Sequence, residues 1–238
     1  TVLSEVSGIP VGEIEVFLGG SMNESVARAI SPALGLDADA LIALPGYLPE
    51  QVEFSGVRRI ELPFGKWIVN AWEVEHGNIH LLFDAGFGAR DILGKVSTQG
   101  LDALLITHSH PDHIGGMAAL AAAGIKVISE TKALAMGKLS FGSLALEAVD
   151  LSGHCIPATG YFINGLSRQL FVVGDAIFAG SMGACKTREA HELAGSNLRS
   201  AFAKAEPTCI ILPGHGPATT IAEELVSNPF LPCFGWSS

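Results

Sequence analysis

The chain has 238 residues, of which 48% are apolar and 16% are charged, and its formal net charge is −10. An apolar fraction this high excludes a disordered chain, and the acidic balance disfavours nucleic acid and anionic membranes as partners. No uncharged apolar run reaches 18 residues, and the uncharged run from Thr208 to Ala222 contains a histidine, two prolines and two glycines. We therefore expect no membrane span.

The sequence also bears on the compartment. No basic segment followed by an apolar one opens the chain, so we expect no signal peptide. None of the four cysteines is spaced as CxxC, which favours reduced thiols over a disulfide framework or a zinc ribbon. These cysteines are Cys155, Cys185, Cys209 and Cys233. Together these features predict a cytoplasmic protein.

The first 52 residues are predicted to form a separate helical module. Apolar residues recur there at helical spacing in four short segments separated by glycines. These segments are Val2–Ser7, Val11–Leu18, Asn23–Leu34 and Asp37–Leu44. Asn23 and Asp37 stand where helix N-caps are expected. The module is strongly acidic, with seven carboxylates against Arg28.

Residues 53–238 are predicted to form a second domain, in which strands come first and helices join them later. Antiparallel hairpins followed by alternating strands and helices indicate a mixed sheet system covered by helices. The predicted strands are Arg58–Phe64, Trp67–Glu75, Ile79–Phe83, Leu101–Thr107, Val127–Ser129, Leu144–Val149, Tyr161–Ile163, Gln169–Val173 and Cys209–Leu212. The predicted helices are Ala89–Lys95, Gly116–Ala123 and Glu189–Ala205.

A cluster of histidines follows the strand that ends near Thr107. His108, His110, Asp112 and His113 lie within six residues. Imidazole and carboxylate groups suit zinc, iron or manganese, and four such groups in one turn can serve more than one ion. The pattern is too specific for a polar turn with exposed histidines to be the better explanation.

Three further candidate ligands stand just after predicted strands, each beside a glycine. They are His154, Asp175 and His215. A glycine at such a position lets the backbone approach closely. Each residue alone is typical of an ordinary turn. Together with the histidine cluster they make seven candidate ligands, which is enough for two metal ions.

These motifs resemble the metallo-β-lactamase superfamily. Residues 107–113 match its HxHxDH signature, and Asp84, His154, Asp175 and His215 match its other motifs in order. The resemblance covers residues 53–238. It implies an αββα sandwich, in which two mixed sheets pack face to face with helices outside and the metals lie at one edge. With the first 52 residues, the predicted fold is this sandwich plus a small all-helical N-terminal module.

The resemblance also implies a role for each residue. A first metal is expected on His108, His110 and His154, and a second on Asp112, His113 and His215. Asp175 would bridge the two metals, and Asp84 would brace the histidine loop without being a ligand. Zinc is the expected metal, with iron and manganese as alternatives. Because true lactamases carry a cysteine where Asp175 stands, the chain is more similar to the hydrolase branch.

Within that branch, the segment from Leu212 to Asn228 resembles the glyoxalase-II-like thioester hydrolases. Two departures accompany this likeness. Ala158 stands where the family often has a second histidine, and the basic residues that hold glutathione have no clear match. The nearest basic stretch contains Lys186 and Arg188. A glutathione substrate is therefore not implied, and the substrate-binding residues stay unassigned.

The first helices carry a resemblance of their own, to the later helices of a repressor-type helix-turn-helix domain. A recognition helix needs side chains that reach bases and phosphates, whereas Val11–Leu18 presents Glu13 and Glu15. We interpret the module as a packing or dimerisation element and expect a homodimer without nucleic-acid or membrane partners.

The function predicted from these features is metal-dependent hydrolysis of a small molecule. A hydroxide between two metals would attack a thioester, ester or lactone carbonyl, and Asp112 would return a proton to the leaving group. Two alternatives stay open. A persulfide dioxygenase of the same fold would use one iron on His108, His154 and Asp175. A DNA-binding regulator would use the metal domain as a sensor.

Overall fold

Two β-sheets pack face to face in the structure, a computed structural model that describes residues 2–50 and 54–231. The first sheet contains, in spatial order, β1 (Val57–Phe64), β2 (Trp67–His76), β3 (Ile79–Phe83), β4 (Ala103–Leu105) and β5 (Val127–Ile128). The second contains β11 (Thr219–Thr220), β10 (Ile210–Pro213), β9 (Leu170–Gly174), β8 (Thr159–Asn164), β7 (Leu144–Asp150) and β6 (Lys138–Phe141). Both sheets mix parallel and antiparallel pairs.

Helices cover the outer faces of both sheets. The first sheet is covered by α5 (Ala89–Leu93), α6 (Pro111–Ile114) and α7 (Met117–Ala122), and the second by α9 (Arg188–Phe202) and α10 (Ile221–Ser227), whereas α8 (Glu130–Met136) contacts the core between the sheets through Ala133. One apolar core lies between the two sheets and includes Phe83 and Tyr161. A second joins the first sheet to Ile92 of α5 and Leu120 of α7. A third joins the second sheet to Leu198 of α9. The order helix, sheet, sheet, helix confirms the predicted αββα sandwich.

The N-terminal module is helical, as the sequence predicts. Its helices are α1 (Val2–Ser7), α2 (Val11–Leu18), α3 (Glu24–Leu34) and α4 (Ala38–Ala43), followed by a short 3₁₀ helix at Leu44–Gly46. Both predicted N-caps are present, since Asn23 accepts from the amide of Ser25 and Asp37 accepts from that of Ala40. Its own core is small and centres on Ile14, Val26 and Ile30.

The module is attached to the sandwich near α10. The Asp37 amide donates to the carbonyl of Pro229, at 2.9 Å. The Glu50 amide donates to the Glu223 carboxylate of α10, at 2.7 Å. The predicted domain boundary between residues 52 and 53 lies outside the described residues, as does Cys233.

The sequence patterns miss several short elements and lengthen others. Helices α6, α8 and α10 and strands β6 and β11 have between two and seven residues each, which is too short for a clear periodicity. The predicted strand Leu101–Thr107 is reduced to the three residues of β4. Beyond β4, the Ile106 amide donates to the Ile128 carbonyl of β5, and the Thr107 carbonyl accepts from the Thr159 amide of β8 in the second sheet.

Four strands end at the same edge of the sandwich. β9 and β10 are parallel, and β7 shares their direction because β8 is antiparallel to both β7 and β9. β4 of the first sheet reaches this edge too, where the Thr159 amide donates to the Thr107 carbonyl at 2.7 Å. Within the described ranges, no helix is long and apolar enough to cross a membrane.

Candidate metal centre

The seven candidate ligands of the sequence all lie at this edge. The loop after β4 carries His108 and His110, and the short helix α6 carries Asp112 and His113. The second sheet supplies the other three from the ends of β7, β9 and β10, and they are His154, Asp175 and His215. Each sheet thus contributes to one site, which forms where the two meet.

Three imidazole nitrogens converge in a first group. His110 Nδ1 is 3.1 Å from His108 Nε2 and 3.0 Å from His154 Nε2. Nitrogens held about 2.0–2.1 Å from a tetrahedral zinc ion lie roughly 3.3 Å from one another. The three atoms are therefore spaced as ligands of one ion require.

A second group contains Asp112, His113 and His215. Asp112 Oδ2 is 3.5 Å from His215 Nε2 and 3.8 Å from His113 Nε2. His113 is fully buried, while His215 is partly exposed. One carboxylate and two imidazoles form a donor set that zinc, iron and manganese all accept.

Asp175 lies between the two groups. Its Oδ2 atom is 3.5 Å from His154 Nε2 of the first group and 3.5 Å from His215 Nε2 of the second. Its Oδ1 atom is 3.3 Å from His113 Nε2. A carboxylate in this position can reach an ion in either group.

Two buried polar atoms of the centre have no hydrogen-bond partner among the described residues, His113 Nε2 and Asp175 Oδ1. Buried polar atoms are nearly always satisfied, so such a pair calls for an explanation. Both atoms are ligand-type atoms, and both face the space between the two groups. A divalent cation satisfies them together, and the centre therefore fits metal ions.

The histidines are oriented by hydrogen bonds from their other ring nitrogens. In four of them this nitrogen donates to an oxygen: His108 to Thr107 Oγ1, His113 to Asp84 Oδ2, His154 to the Ala184 carbonyl and His215 to the Ile68 carbonyl, at 2.6–3.0 Å. Partners of this kind fix the tautomer and leave Nε2 free for a metal.

Asp84 braces the loop that carries the histidine cluster. Its Oδ1 accepts from the Thr107 amide, and its Oδ2 accepts from Thr107 Oγ1 and from the His113 ring. The residue has a φ of 61°, a left-handed conformation that costs about 1–3 kcal/mol outside glycine. The bonds to Thr107 and His113 hold it there.

The carboxylates make the centre attractive to positive charge. Burial, together with the neighbouring His113, lowers the pKa of His108 to about 2, so this ring is neutral. Burial also opposes the charging of His113, yet Asp84 and Asp175 raise the pKa of that ring to about 10. A cation that binds to the second group displaces a proton from it.

Asp175 and His113 pack so closely against position 214 that only glycine fits there. A Cβ on Gly214 would collide with Asp175 Oδ1 and lie 2.7 Å from His113 Cε1. The Gly214 amide donates to the Gly174 carbonyl at 2.8 Å, which holds the ends of β9 and β10 together. The glycine beside His215 therefore lets that histidine reach the other ligands.

Sequence reasoning missed Thr107. Its hydroxyl joins Asp84 to the ring of His108, and its amide is the second donor to Asp84. Its position directly before the histidine cluster was the available signal. Ala158 stands where the family often has a second histidine, and its methyl side chain cannot be a metal ligand. Its backbone forms an isolated β-bridge with His108.

Comparison with known proteins finds similar sequences. Residues 64–143 match the family model of the metallo-beta-lactamase superfamily. The probable metallo-hydrolase YqgX of Bacillus subtilis is 26% identical over 209 residues, which cover 71% of this chain and 95% of that protein. The hydroxyacylglutathione hydrolase GloC of Haemophilus influenzae is 25% identical over 63% of this chain and 86% of its own length.

Solved structures show the same fold. The BLEG-1 B3 metallo-beta-lactamase superposes with a TM-score of 0.64 at 24% identity, over 74% of this chain and 99% of that one. TTHA1623, solved in a di-iron-bound form, gives a TM-score of 0.58 at 25% identity over 72% and 99% of the two chains. The sandwich thus has the metallo-β-lactamase fold. The helix-turn-helix resemblance of the N-terminal module finds no support in these comparisons.

Proposed function

We propose that the metallo-β-lactamase superfamily domain of this chain is a binuclear metal-dependent hydrolase of a small thioester, ester or lactone. The observation that carries the proposal is the pair of ligand groups that share Asp175, whose Oδ2 lies 3.5 Å from a histidine of each group. The relatives named as a metallo-hydrolase and as hydroxyacylglutathione hydrolases support the choice of hydrolysis and of a thioester.

The proposed cofactor is a pair of divalent ions, zinc first, with iron or manganese as the alternatives. His108, His110 and His154 would hold one ion, and Asp112, His113 and His215 the other. Divalent ions at such a centre supply Lewis acidity, which lowers the pKa of water to about 7 and polarises a carbonyl oxygen. No protein nucleophile is required, and we assign none.

The chain's own residues position this chemistry. Asp175 keeps the two ligand groups within reach of each other, and Asp84 with Thr107 holds the histidine loop. The Asp112 carboxylate lies beside the His215 ring, and its side chain is 10% exposed. From there it can take up a proton and pass it to the leaving group.

The substrate is proposed to be smaller or less anionic than a glutathione thioester. Lys186 and Arg188, which follow the Ala184 partner of His154 in the chain, are exposed on the surface. Arg188 pairs with Glu192 of the same helix at 2.8 Å. A tripeptide with two carboxylates would need cations at the mouth of the centre, and these two residues do not form such a cluster.

Metal analysis combined with a substrate panel tests the proposal. The purified chain is expected to carry close to two transition-metal ions and to turn over at least one of a panel of thioesters, esters and lactones. His113→Ala and His215→Ala are expected to lower the metal content to about one ion per chain. One iron per chain together with oxygen uptake would instead identify a dioxygenase and overturn the hydrolase proposal.

A further inference from the structure

The N-terminal module reaches the sandwich through the side chain of Tyr47, which follows the 3₁₀ helix. Its hydroxyl donates to Glu224 Oε1 at 2.7 Å and lies 3.0 Å from Thr219 Oγ1. Burial raises the pKa of the Tyr47 hydroxyl above its usual value, so the group keeps its proton and acts as a donor. None of the residues in this contact is a candidate metal ligand.

Glu224 is a fully buried carboxylate of helix α10. Its Oε1 accepts from Tyr47 and Thr219, and its Oε2 accepts from the Gly180 amide and the Asn228 side chain, at 2.7–2.9 Å. Among the described residues, no cation forms an ion pair with it. A buried charge without a counter-ion depends on each of its donors, so the loss of one is costly.

One of these donors belongs to the loop of residues 176–187, which we call the bridging loop because it connects Asp175 to α9. Gly180 has a φ of +69°, and a Cβ there would collide with Leu44 Cδ1 and lie 3.0 Å from Tyr47 Cδ1. The Asn228 side chain that also bonds Glu224 donates to the carbonyl of Ser181, at 2.9 Å. Module, α10 and bridging loop therefore meet at Glu224.

The same loop contacts both groups of the metal centre. The Phe178 ring stands edge-on to the His215 ring, with centroids 5.7 Å apart. The Ala184 carbonyl accepts the Nδ1 proton of His154 at 2.8 Å. Each end of the loop thus orients one histidine, and Gly180 lies between those ends.

From these contacts we propose that Tyr47 is a positioning residue of the metal centre, which acts through Glu224 and the bridging loop on His154 and His215. The module that carries it is then a working part of the site and not an independent appendage. The consequence for turnover rests on the proposed hydrolase function, whereas the consequence for metal binding does not.

Tyr47→Phe in the full chain tests this assignment. The change removes one hydroxyl and keeps the ring that packs on Gly180. Zinc dissociation constants, measured by competition with a chromophoric chelator, are expected to rise about tenfold, in the range found when a residue that orients a metal ligand is changed. In metal-free protein, hydrogen exchange at the Gly180 amide is expected to quicken, while strand β2 keeps its protection.

Glu223→Gln is the matched control. Glu223 is also on α10 and also accepts a bond from the module, from the Glu50 amide, but its other carboxylate oxygen accepts from the Thr220 hydroxyl and not from the bridging loop. We expect this variant to keep the wild-type zinc affinity and Gly180 exchange. Glu224→Gln, which puts an amide N–H among donors, is expected to change both in the direction of Tyr47→Phe.

Unchanged zinc affinity and unchanged exchange in Tyr47→Phe would overturn the assignment. Equal effects in Tyr47→Phe and Glu223→Gln would also overturn it, since they would reduce Tyr47 to a general docking contact. If the wild-type chain hydrolyses nothing in the panel while Tyr47→Phe still weakens zinc binding, the assignment of Tyr47 stands and the proposed hydrolase function fails.

Discussion

The metal centre and the N-terminal module differ in how much of their function can be predicted from their sequences. The centre is built from histidines and aspartates that end four strands, and these side chains have few reasons to gather except to bind a cation. The module is built from apolar residues at helical spacing around a core of three residues, Ile14, Val26 and Ile30. Such a pattern specifies a helix and says little about its use.

This comparison shows that a cluster of metal-ligand residues indicates a function, whereas a periodic apolar pattern indicates only a secondary structure. The helices of the module were correctly predicted from their spacing, yet the added resemblance to a DNA-binding domain has no support. In the structure the module carries Tyr47, and the contacts of this residue depend on a carboxylate 177 positions away in the chain. No local pattern contains that information.

Asp175→Ala is expected to have the largest effect of any single substitution at the centre. It removes the carboxylate between the two ligand groups, so the proposed ions lose a shared ligand and their charges lose compensation. Activity is expected to fall more than about 100-fold, beyond the roughly 10–100-fold typical of residues that orient a ligand, with a matching loss of bound metal.

Asp102→Ala is the control for this change, because Asp102 accepts from the His80 amide, away from the centre. Metal content measured by atomic emission, beside initial rates, checks both variants. An Asp175→Ala protein that keeps two ions and near-normal turnover would contradict the ligand set.

Gly214→Ala and Gly12→Ala compare the two regions directly with one chemical change. The new Cβ at position 214 collides with Asp175, so we expect a loss of metal affinity of about tenfold or more. At position 12, in helix α2, a Cβ meets no described heavy atom within 4 Å. That alanine is expected to stabilise the helix by up to about 1 kcal/mol.

Chelator competition and thermal unfolding measure the two outcomes. Equal metal affinities in Gly214→Ala and Gly12→Ala would show that position 214 tolerates a side chain, and the close packing of the centre would then need another explanation.

A smaller effect is expected for the predicted homodimer, whose dissociation constant should depend on salt concentration. The module leaves Val2, Val16 and Leu18 largely exposed, and its seven carboxylates repel a second copy. Because salt screens that repulsion, we expect the dimer dissociation constant to fall several-fold between about 50 and 500 mM sodium chloride.

Sedimentation equilibrium measures this dissociation constant. Leu18→Glu is expected to give a monomer, and Leu48→Glu, which lies outside these helices, serves as the control. A monomer at every salt concentration would remove the dimer prediction.

The smallest expected effect is the absence of DNA binding. A gel shift with genomic fragments at about 50 mM salt is expected to show none, because the acidic module offers phosphates no cluster of cations. Tight binding that weakens steeply between about 50 and 200 mM salt would restore the regulator alternative.

Much of the sandwich could be predicted because its strands are long, apolar and punctuated by glycines. β3 and the β2–β3 hairpin follow from alternation and a two-residue turn at Gly77 and Asn78. Strand β11 has two residues and helix α8 seven, so neither produces a period that stands out from its surroundings.

The ligand-type residues of the site could also be selected, together with Asp84, while the other groups that orient the histidines could not. Two of those groups are backbone carbonyls, of Ile68 and Ala184, and every residue has a carbonyl. The pairing of Tyr47 with Glu224 is hidden for a related reason. It arises from the packing of a module on a distant helix, and packing partners are set by the whole fold.

The spread of the ligands along the chain has a consequence for biosynthesis. His113 and His215 belong to the same ligand group but are 102 residues apart in sequence. At translation rates of about 5–20 residues per second, the loop after β4 leaves the ribosome roughly 5–20 seconds before His215. During that interval a nascent chain presents His108, His110, Asp112 and His113 without their partners from the second sheet. The set of ligands is complete only after β10 and His215 have been synthesised, and discrimination between metals by geometry begins then. We therefore expect metal acquisition to follow synthesis of most of the domain and not to accompany it.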